Sequence, residues 1–216
     1  MIPILYQDPH VAVCLKSPGL LSQEGPGETL PSLLSSQLGG DIYPVHRLDR
    51  GVGGVMVYAR TPRAAGALSA AIRQGSFQKQ YLCVTVGRPA QDAGEYQDLL
   101  LHDRARNKSF VVSRVRGGVK EARLSYQVLA SAGGLSLLRI QLHTGRTHQI
   151  RVQLSSRGTP LAGDGKYGGG SGQIALWSAA LTFPHPADGR KMAFHATPSG
   201  GVWRTFEQAL ASTSGI

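Results

Sequence analysis

The chain has 216 residues, 41% of them hydrophobic, which is enough for a real core and too apolar for a disordered chain. A net charge of +10 and a pI of about 10.1 favour a polyanionic partner. Nucleic acid ranks ahead of an acidic membrane, because no lysine-rich amphipathic helix is present to lie on a bilayer.

Residues 2–16 alternate as a half-buried strand does, with a turn at Asp8-Pro9 between two short strands. Val11, Val13 and Leu15 fall on one face, and Ala12, Cys14 and Lys16 on the other. Residues 22–30 read as a polar, Gly-rich loop, and Leu30 to Leu38 as a short helix that stops at Gly39-Gly40. The densest stretch follows, from Tyr43 through His46-Arg47-Leu48-Asp49-Arg50 to Gly51-Val52-Gly53-Gly54, a loop feeding the apolar strand Val55–Ala59. Asp49 stands between two arginines, in a positive field that favours its ionised form. Gly51, Gly53 and Gly54 lack a Cβ, so another backbone or a ligand can come close. By itself the stretch leaves Asp49 open as nucleophile, base or half of a structural ion pair.

Thr61-Pro62 is a helix start, Ala64, Ala65, Leu68, Ala71 and Ile72 mark one helical face, and Gly75 closes the helix. Lys79 to Val86 is a strand with Leu82, Val84 and Val86 as its apolar face and Lys79, Tyr81, Cys83 and Thr85 opposite. Residues 89–123 read as irregular and increasingly basic, through Arg104, Arg106, Lys108, Arg114, Arg116, Lys120 and Arg123. A solvated hairpin and an RNA-facing arm both fit, and the concentration of negative charge at the start of the segment favours the arm. Residues 123–130 and 135–142 form a hairpin around Ala132-Gly133-Gly134. Thr147 is placed to cap a helix ending at Gly158, a capped N-terminus with N–H groups for a phosphate. A strand near Ala175 to Phe183 and a short helix after Trp203 complete the chain.

Cys14 and Cys83 lie inside apolar runs and read as buried free thiols, not a disulfide framework or a zinc site. No signal peptide or membrane span is visible, so a cytoplasmic protein is expected. With no linker, repeat or low-complexity block, one domain over residues 1–216 is expected. Residues 170–175 fit a dinucleotide fingerprint only loosely, with no strand before them. Residues 161–167 lack the first glycine of a phosphate loop and carry Tyr167 where its Ser or Thr belongs. The seven histidines have no metal-ligand spacing, and no Gly-x-Ser-x-Gly elbow occurs. Chemistry must then rest on side chains alone.

Three segments remain: His46-Arg47-Leu48-Asp49, Lys79-Gln80-Tyr81-Leu82, and His143-Thr144-Gly145-Arg146-Thr147-His148-Gln149-Ile150-Arg151-Val152 with Gly163-Asp164 and Tyr167-Gly168 behind it. In this order they resemble the RluA-type pseudouridine synthases, and the likeness runs from about Ile4 to Phe194. The resemblance implies an α+β pseudouridine synthase fold with a mixed, largely antiparallel sheet and short flanking helices. It implies an isomerase of RNA that needs no cofactor and no metal. The C1′–N1 bond of a uridine is cleaved, the uracil turns, and C5 is joined to C1′. Carried over by position, Asp49 is the catalytic carboxylate, Tyr81 stacks on the target base, Arg151 pairs with Asp49, and Arg47 helps fill the space the base vacates. Arg146, His148 and Lys79 join Arg47 as RNA-binding candidates.

Plainer alternatives stand beside these. An Asp before a Gly-rich turn is structural in most proteins, Tyr81 fits as an ordinary strand aromatic, and Arg157 competes with Arg146 as a phosphate contact. His46 and His148 read as hydrogen-bonding scaffold, and Lys166 and Tyr167 as loop anchors. Val52-Gly53-Gly54 stands where the family commonly has Thr-Ser-Gly, which removes two hydroxyls beside the motif. No small S4-type domain precedes the catalytic part, so the domain is expected to hold an RNA stem-loop of ribosomal or transfer RNA with its own surface, as a monomer. The rival readings are an inactive RNA-binding or ribosome assembly factor, and a nucleoside glycosidase, which would not need a charge of +10.

Overall fold

The computed structural model describes residues 1–212. In chain order its elements are β1 (Ile4–Gln7), β2 (Val11–Lys16), α1 (Leu30–Leu38), β3 (Tyr43–Pro44), β4 (Gly53–Ala59), α2 (Pro62–Gln74) and β5 (Gln78–Val86). There follow β6 (Ala93–Asp103), β7 (Lys108–Val112), β8 (Val119–Ala132), β9 (Leu135–Leu142), α3 (Gln149–Ser155), β10 (Leu176–Pro184) and β11 (Lys191–His195). A 3₁₀ turn, Gly201–Phe206, leads into α4 (Glu207–Ala211). The fold is α+β, as the sequence implies, and the chain divides into two compact units. The first comprises Met1–Lys79 and Trp177–Pro198; the second comprises Gln80–Leu176 and the segment from Ser199 onward.

In the first unit the strand order is β1-β2-β4-β10, with β3 on β4 and β11 on β10. All these pairs are antiparallel except β4 with β10, so the sheet is mixed. Its core gathers Val11, Val13, Val55, Val57, Leu68, Phe77, Leu181 and Phe183. Helix α2 forms as its sequence dictates: Thr61 Oγ1 accepts the Ala64 N–H at 3.1 Å, Pro62 occupies the first turn, and Gly75 at φ 77° ends it. Ala64, Leu68 and Ala71 are its buried face.

The second unit orders its strands β5-β9-β8-β6-β7. Where the sequence suggested irregular chain over 89–123, β6, β7 and the start of β8 form a regular antiparallel meander. The signal was masked because the apolar residues come in runs, Leu99-Leu100-Leu101 and Phe110-Val111-Val112, and do not alternate, while Glu95, Gln97, Glu121 and Arg123 put charged and polar groups on the strands. Two strand readings also change. Both faces of β2 are buried, including Lys16, and on β5 the residues Tyr81, Cys83 and Thr85 are as buried as Leu82 and Val84 while Val86 is exposed. A strand with neighbours over both faces loses the alternation that marks a half-buried one. Cys14 and Cys83 are buried free thiols, as expected.

Candidate active site

Asp49 lies in the loop that joins β3 to β4 in the first unit. Three residues of the preceding chain fix this loop. Ser22 exchanges hydrogen bonds with Leu48, its Oγ donating to the Leu48 carbonyl at 2.8 Å and accepting the Leu48 N–H at 3.1 Å. Gly19 N–H donates to the Arg50 carbonyl at 2.8 Å, and Arg50 Nε donates back to the Gly19 carbonyl at 2.8 Å. Lys16 does most: its buried ammonium donates to the carbonyls of Val52 (2.6 Å), Arg50 (3.1 Å), Ser17 (3.3 Å) and Asp49 (3.4 Å). Burial pulls the Lys16 pKa down to about 8, and the Asp49 charge opposes that fall. Within this unit, a cation that feels Asp49 is thus a lysine the sequence reading had put on a strand face. Asp49 itself is half-buried, and Arg47 beside it is exposed.

The glycines behind the loop are needed for close approach. A Cβ on Gly53 would sit 2.5 Å from Trp177 Cζ3, and one on Gly54, at φ 120°, 2.3 Å from the Ser178 carbonyl oxygen. These contacts come from the short parallel pairing of β4 with β10, Gly53 beside Trp177 and Gly54 beside Ser178. Past it, side chains complete the β4 edge: Ser178 Oγ donates to the Val55 carbonyl at 2.9 Å, and His46 Nε2 accepts the Val57 N–H at 3.2 Å. That bond assigns the His46 proton to Nδ1. Burial and the nearby Lys79 charge push the His46 pKa down to about 3, so it is neutral scaffold. Lys79 is half-buried with its ammonium 5.7 Å from the Phe77 ring centroid, and burial lowers its pKa.

The second unit carries Tyr81, Arg146, His148 and Arg151. Tyr81 is buried on β5. Arg151, on α3, is clamped by the buried Asp164 carboxylate, Nε to Oδ2 at 2.7 Å and Nη2 to Oδ1 at 2.8 Å. Its guanidinium lies 5.1 Å from the Tyr167 ring centroid. Tyr167 Oη accepts the Ser109 N–H at 2.8 Å and meets His148 Nδ1 at 3.0 Å. His148 adopts a left-handed backbone, φ 54°, just before α3. So the expected Thr147 cap is absent; Gln149 Oε1 takes the Arg146 N–H at 3.0 Å and the Thr144 hydroxyl at 2.7 Å instead. Helix α3 ends at Ser155, earlier than the glycine signal at 158 suggested, and with about two turns it offers no N-terminal phosphate site. Arg146 is exposed, with Nε on the Glu121 carbonyl at 2.8 Å, and Arg157 is committed to Asp98 at 2.9 Å.

A family model described as RNA pseudouridylate synthase matches residues 10–156. The chain belongs to this family. Pseudouridine synthase YjbO of Bacillus subtilis, itself uncharacterised, is 33% identical over 90% of this chain and 72% of its own length. The ribosomal large subunit pseudouridine synthase D of Zymomonas mobilis is 30% identical over 98% of this chain and 74% of its own length. Among solved structures, human RNA pseudouridylate synthase domain containing 4 matches with a TM-score of 0.79 at 24% identity, over 96% of this chain and 92% of that one, a likeness of fold. As a pseudouridine synthase, the protein is an isomerase. No helix among the described residues is long and apolar enough to cross a membrane.

For this synthase the structure adds what sequence missed. Lys16 was legible in principle, since a lysine sharing a strand face with Ala12 and Cys14 has to be buried or break the pattern. Gly163-Asp164 was singled out in the sequence, but its pairing with Arg151 had no such signal, because the two are 13 residues apart and only the folded loop joins them. At position 53 Trp177 occupies the space that any side chain would need, which fits the glycine there; nothing in the structure explains Val52.

Proposed function

We propose that the chain converts a specific uridine of a structured RNA to pseudouridine, with Asp49 as the catalytic carboxylate. The observation that carries the reading is the clamping of the Asp49 loop by Lys16, Gly19 and Ser22, which holds a half-buried carboxylate at a fixed place next to a buried cation. A positioned, ionised carboxylate is what attack on sugar or base requires. Arg151 is the proposed hydrogen-bonding partner of the Asp49 carboxylate, and its bidentate clamp on Asp164 balances its charge and fixes the plane of the guanidinium. Tyr81 stacks on the uracil, and Arg47, exposed beside Asp49, fills the gap the base leaves.

The target base must leave its stack, at a cost of a few kcal/mol, roughly, and stacking on an aromatic ring returns about 1–3 kcal/mol. The C1′–N1 bond breaks with its electron pair left on N1, the detached uracil turns, C5 bonds to C1′, the C5 proton leaves and N1 takes up a proton, so the product is an isomer of the substrate. Ribosomal RNA is the favoured substrate over transfer RNA, because relatives in several bacteria carry the ribosomal large subunit name.

Asp49→Asn removes the nucleophile and changes little else. Pseudouridine formation in total RNA should fall below detection while RNA affinity stays within about twofold. Retained turnover removes Asp49 from the role; turnover and affinity lost together make it an RNA-binding or structural residue, and a wild-type chain that forms no pseudouridine points instead to an RNA-binding factor.

A further inference from the structure

Helix α3 carries Arg151, yet little in its own sequence holds it in place. It has seven residues, no side-chain cap at its start, and the left-handed His148 before it. A free helix of this length does not persist in water, so its position is set from outside. Successive residues turn by about 100°, which puts Gln149 and Gln153 on one side of the helix and Arg151, midway between them, on the other. Both glutamines are buried. The amide of Gln149 is fully used: Oε1 takes the Thr144 hydroxyl and the Arg146 N–H, and Nε2 donates to the Arg123 carbonyl on β8 at 3.1 Å. One turn on, Gln153 Nε2 donates to Asp98 Oδ2 at 2.7 Å and to the Tyr96 carbonyl at 3.3 Å, both on β6. Arg157, four residues further, forks onto the same Asp98, Nη1 to Oδ2 at 2.9 Å and Nη2 to Oδ1 at 3.1 Å, and its guanidinium lies 3.9 Å from the Tyr96 ring centroid. Asp98 pairs with Ala122 and Gln97 with Arg123, so these anchor points sit close together on two adjacent strands.

For stability alone, Gln153 is a poor choice. It is fully buried, and its Oε1 finds no hydrogen-bond donor among the described residues. A buried acceptor left unbonded is destabilising, and a methionine of similar reach would fill the space without that penalty. Asp98 would not be orphaned by the exchange, because Arg157 holds both of its oxygens. What the amide has and a methionine lacks is direction. Its bond to Asp98 fixes the rotation of α3 about its own axis, and turning one side of a helix turns the other by the same angle. Arg151 stands on that other side, where its guanidinium meets Asp164 and Tyr167.

We propose that Gln153, through its bond to Asp98, is a positioning residue for Arg151. The pair sets the angle of α3 from behind and so holds the guanidinium where the reaction needs it. The role rests on the reading that Arg151 serves the catalytic carboxylate, and it adds how a two-turn helix keeps that arginine in register. Gln153 touches neither substrate nor reacting atoms in this role. Its effect belongs to kcat and not to RNA affinity.

The test begins with Gln153→Met in the full chain. Its kcat for pseudouridine formation should fall at least about tenfold, because a shift of about 1 Å at a reacting group can cost about a hundredfold. KM should stay within about twofold, and the thermal midpoint should drop by no more than about 3 °C. Gln153→Glu sets two carboxylates against each other and should lower kcat further. Asp98→Asn/Gln153→Glu exchanges donor and acceptor at the wild-type net charge. It should return kcat to within about threefold of wild type, a coupling that independent sites do not show. A second readout needs no turnover: the Nε–H proton of Arg151, identified by its absence in Arg151→Lys, should exchange with solvent at least about tenfold faster in Gln153→Met. Wild-type kcat and wild-type exchange in Gln153→Met overturn the proposal. So does a double variant no better than Gln153→Glu with kcat tracking the thermal midpoint, which leaves the amide a packing group. If the wild-type chain forms no pseudouridine yet the exchange quickens, the enzyme reading fails and the positioning of Arg151 stands; turnover and exchange both unchanged keep the enzyme and remove the positioning.

Discussion

Asp49 was readable from its motif, and a buried Lys16 from its strand face, but no local pattern said that Lys16 would hold the Asp49 loop. Lys16 is fully buried, and a buried ammonium is costly unless its hydrogen bonds are met. Four backbone carbonyls meet them, three from the Asp49–Val52 stretch. The lysine thus turns an irregular loop into a fixed one, and the sheet carries its charge to where Asp49 needs it. Its titration separates activity from stability. The folded pKa is about 8 against about 10.5 unfolded, so between those values the unfolded chain binds more protons and the Lys16 contribution to stability rises with pH. Over the same window the loop loses its cationic cap, and turnover should fall. Lys16→Met should lower kcat at least about tenfold at pH 7 and abolish the Lys16 part of the stability rise above pH 8, read by denaturant midpoints across pH; a variant with wild-type kcat would leave the lysine a mere packing residue.

At the scale of elements, the loop from Leu161 to Ala175 shows why local patterns failed. It looked like a damaged phosphate loop, and its glycines serve a different purpose. A Cβ on Gly169 would lie 1.7 Å from the Leu161 carbonyl oxygen, and one on Gly163, at φ 78°, 2.2 Å from that of Gln173. The chain folds back on itself there, with Gly163 N–H on the Gly169 carbonyl (2.8 Å) and Gly169 N–H on the Asp164 carbonyl (2.9 Å), and so presents Asp164 and Tyr167 to α3. Gly169→Ala must open this fold. A loss of roughly 2–4 kcal/mol is expected, with Arg151 left without its clamp and activity falling further than stability alone accounts for. Equal thermal midpoints for the two proteins would contradict that packing. The meander β6–β7–β8 was missed for a related reason, since its charges hid a strand pattern that only neighbouring strands enforce.

On the scale of the molecule, distant ends of the sequence are tied inside the first unit. His185, buried just past the end of β10, bonds Asp8 at 2.7 Å and Asp188 at 3.2 Å, closing a span of 177 residues. Burial would raise the Asp8 carboxyl, but the N–H groups of Val11 and His10, with Tyr6 and His185, outweigh it and hold the pKa at about 2. A folded pKa below the unfolded 3.8 stabilises the protein above about pH 4, and that share is lost as pH falls through about 2. Asp8→Asn should flatten the acid limb of the stability curve between those values and leave it unaltered at pH 7 relative to pH 5; an unchanged acid limb would show the cluster to be idle. By itself the sequence determined the family, helix α2 with its Thr61 and Gly75 ends, the stop of α1 at Gly39, the buried thiols and the motif residues, because each is written in adjacent side chains or in a motif whose members keep their order. Only the tertiary structure decided that Lys16 caps the Asp49 loop and that Asp164 clamps Arg151. Burial and pairing between residues far apart in the chain depend on which strands become neighbours, and no local pattern encodes that.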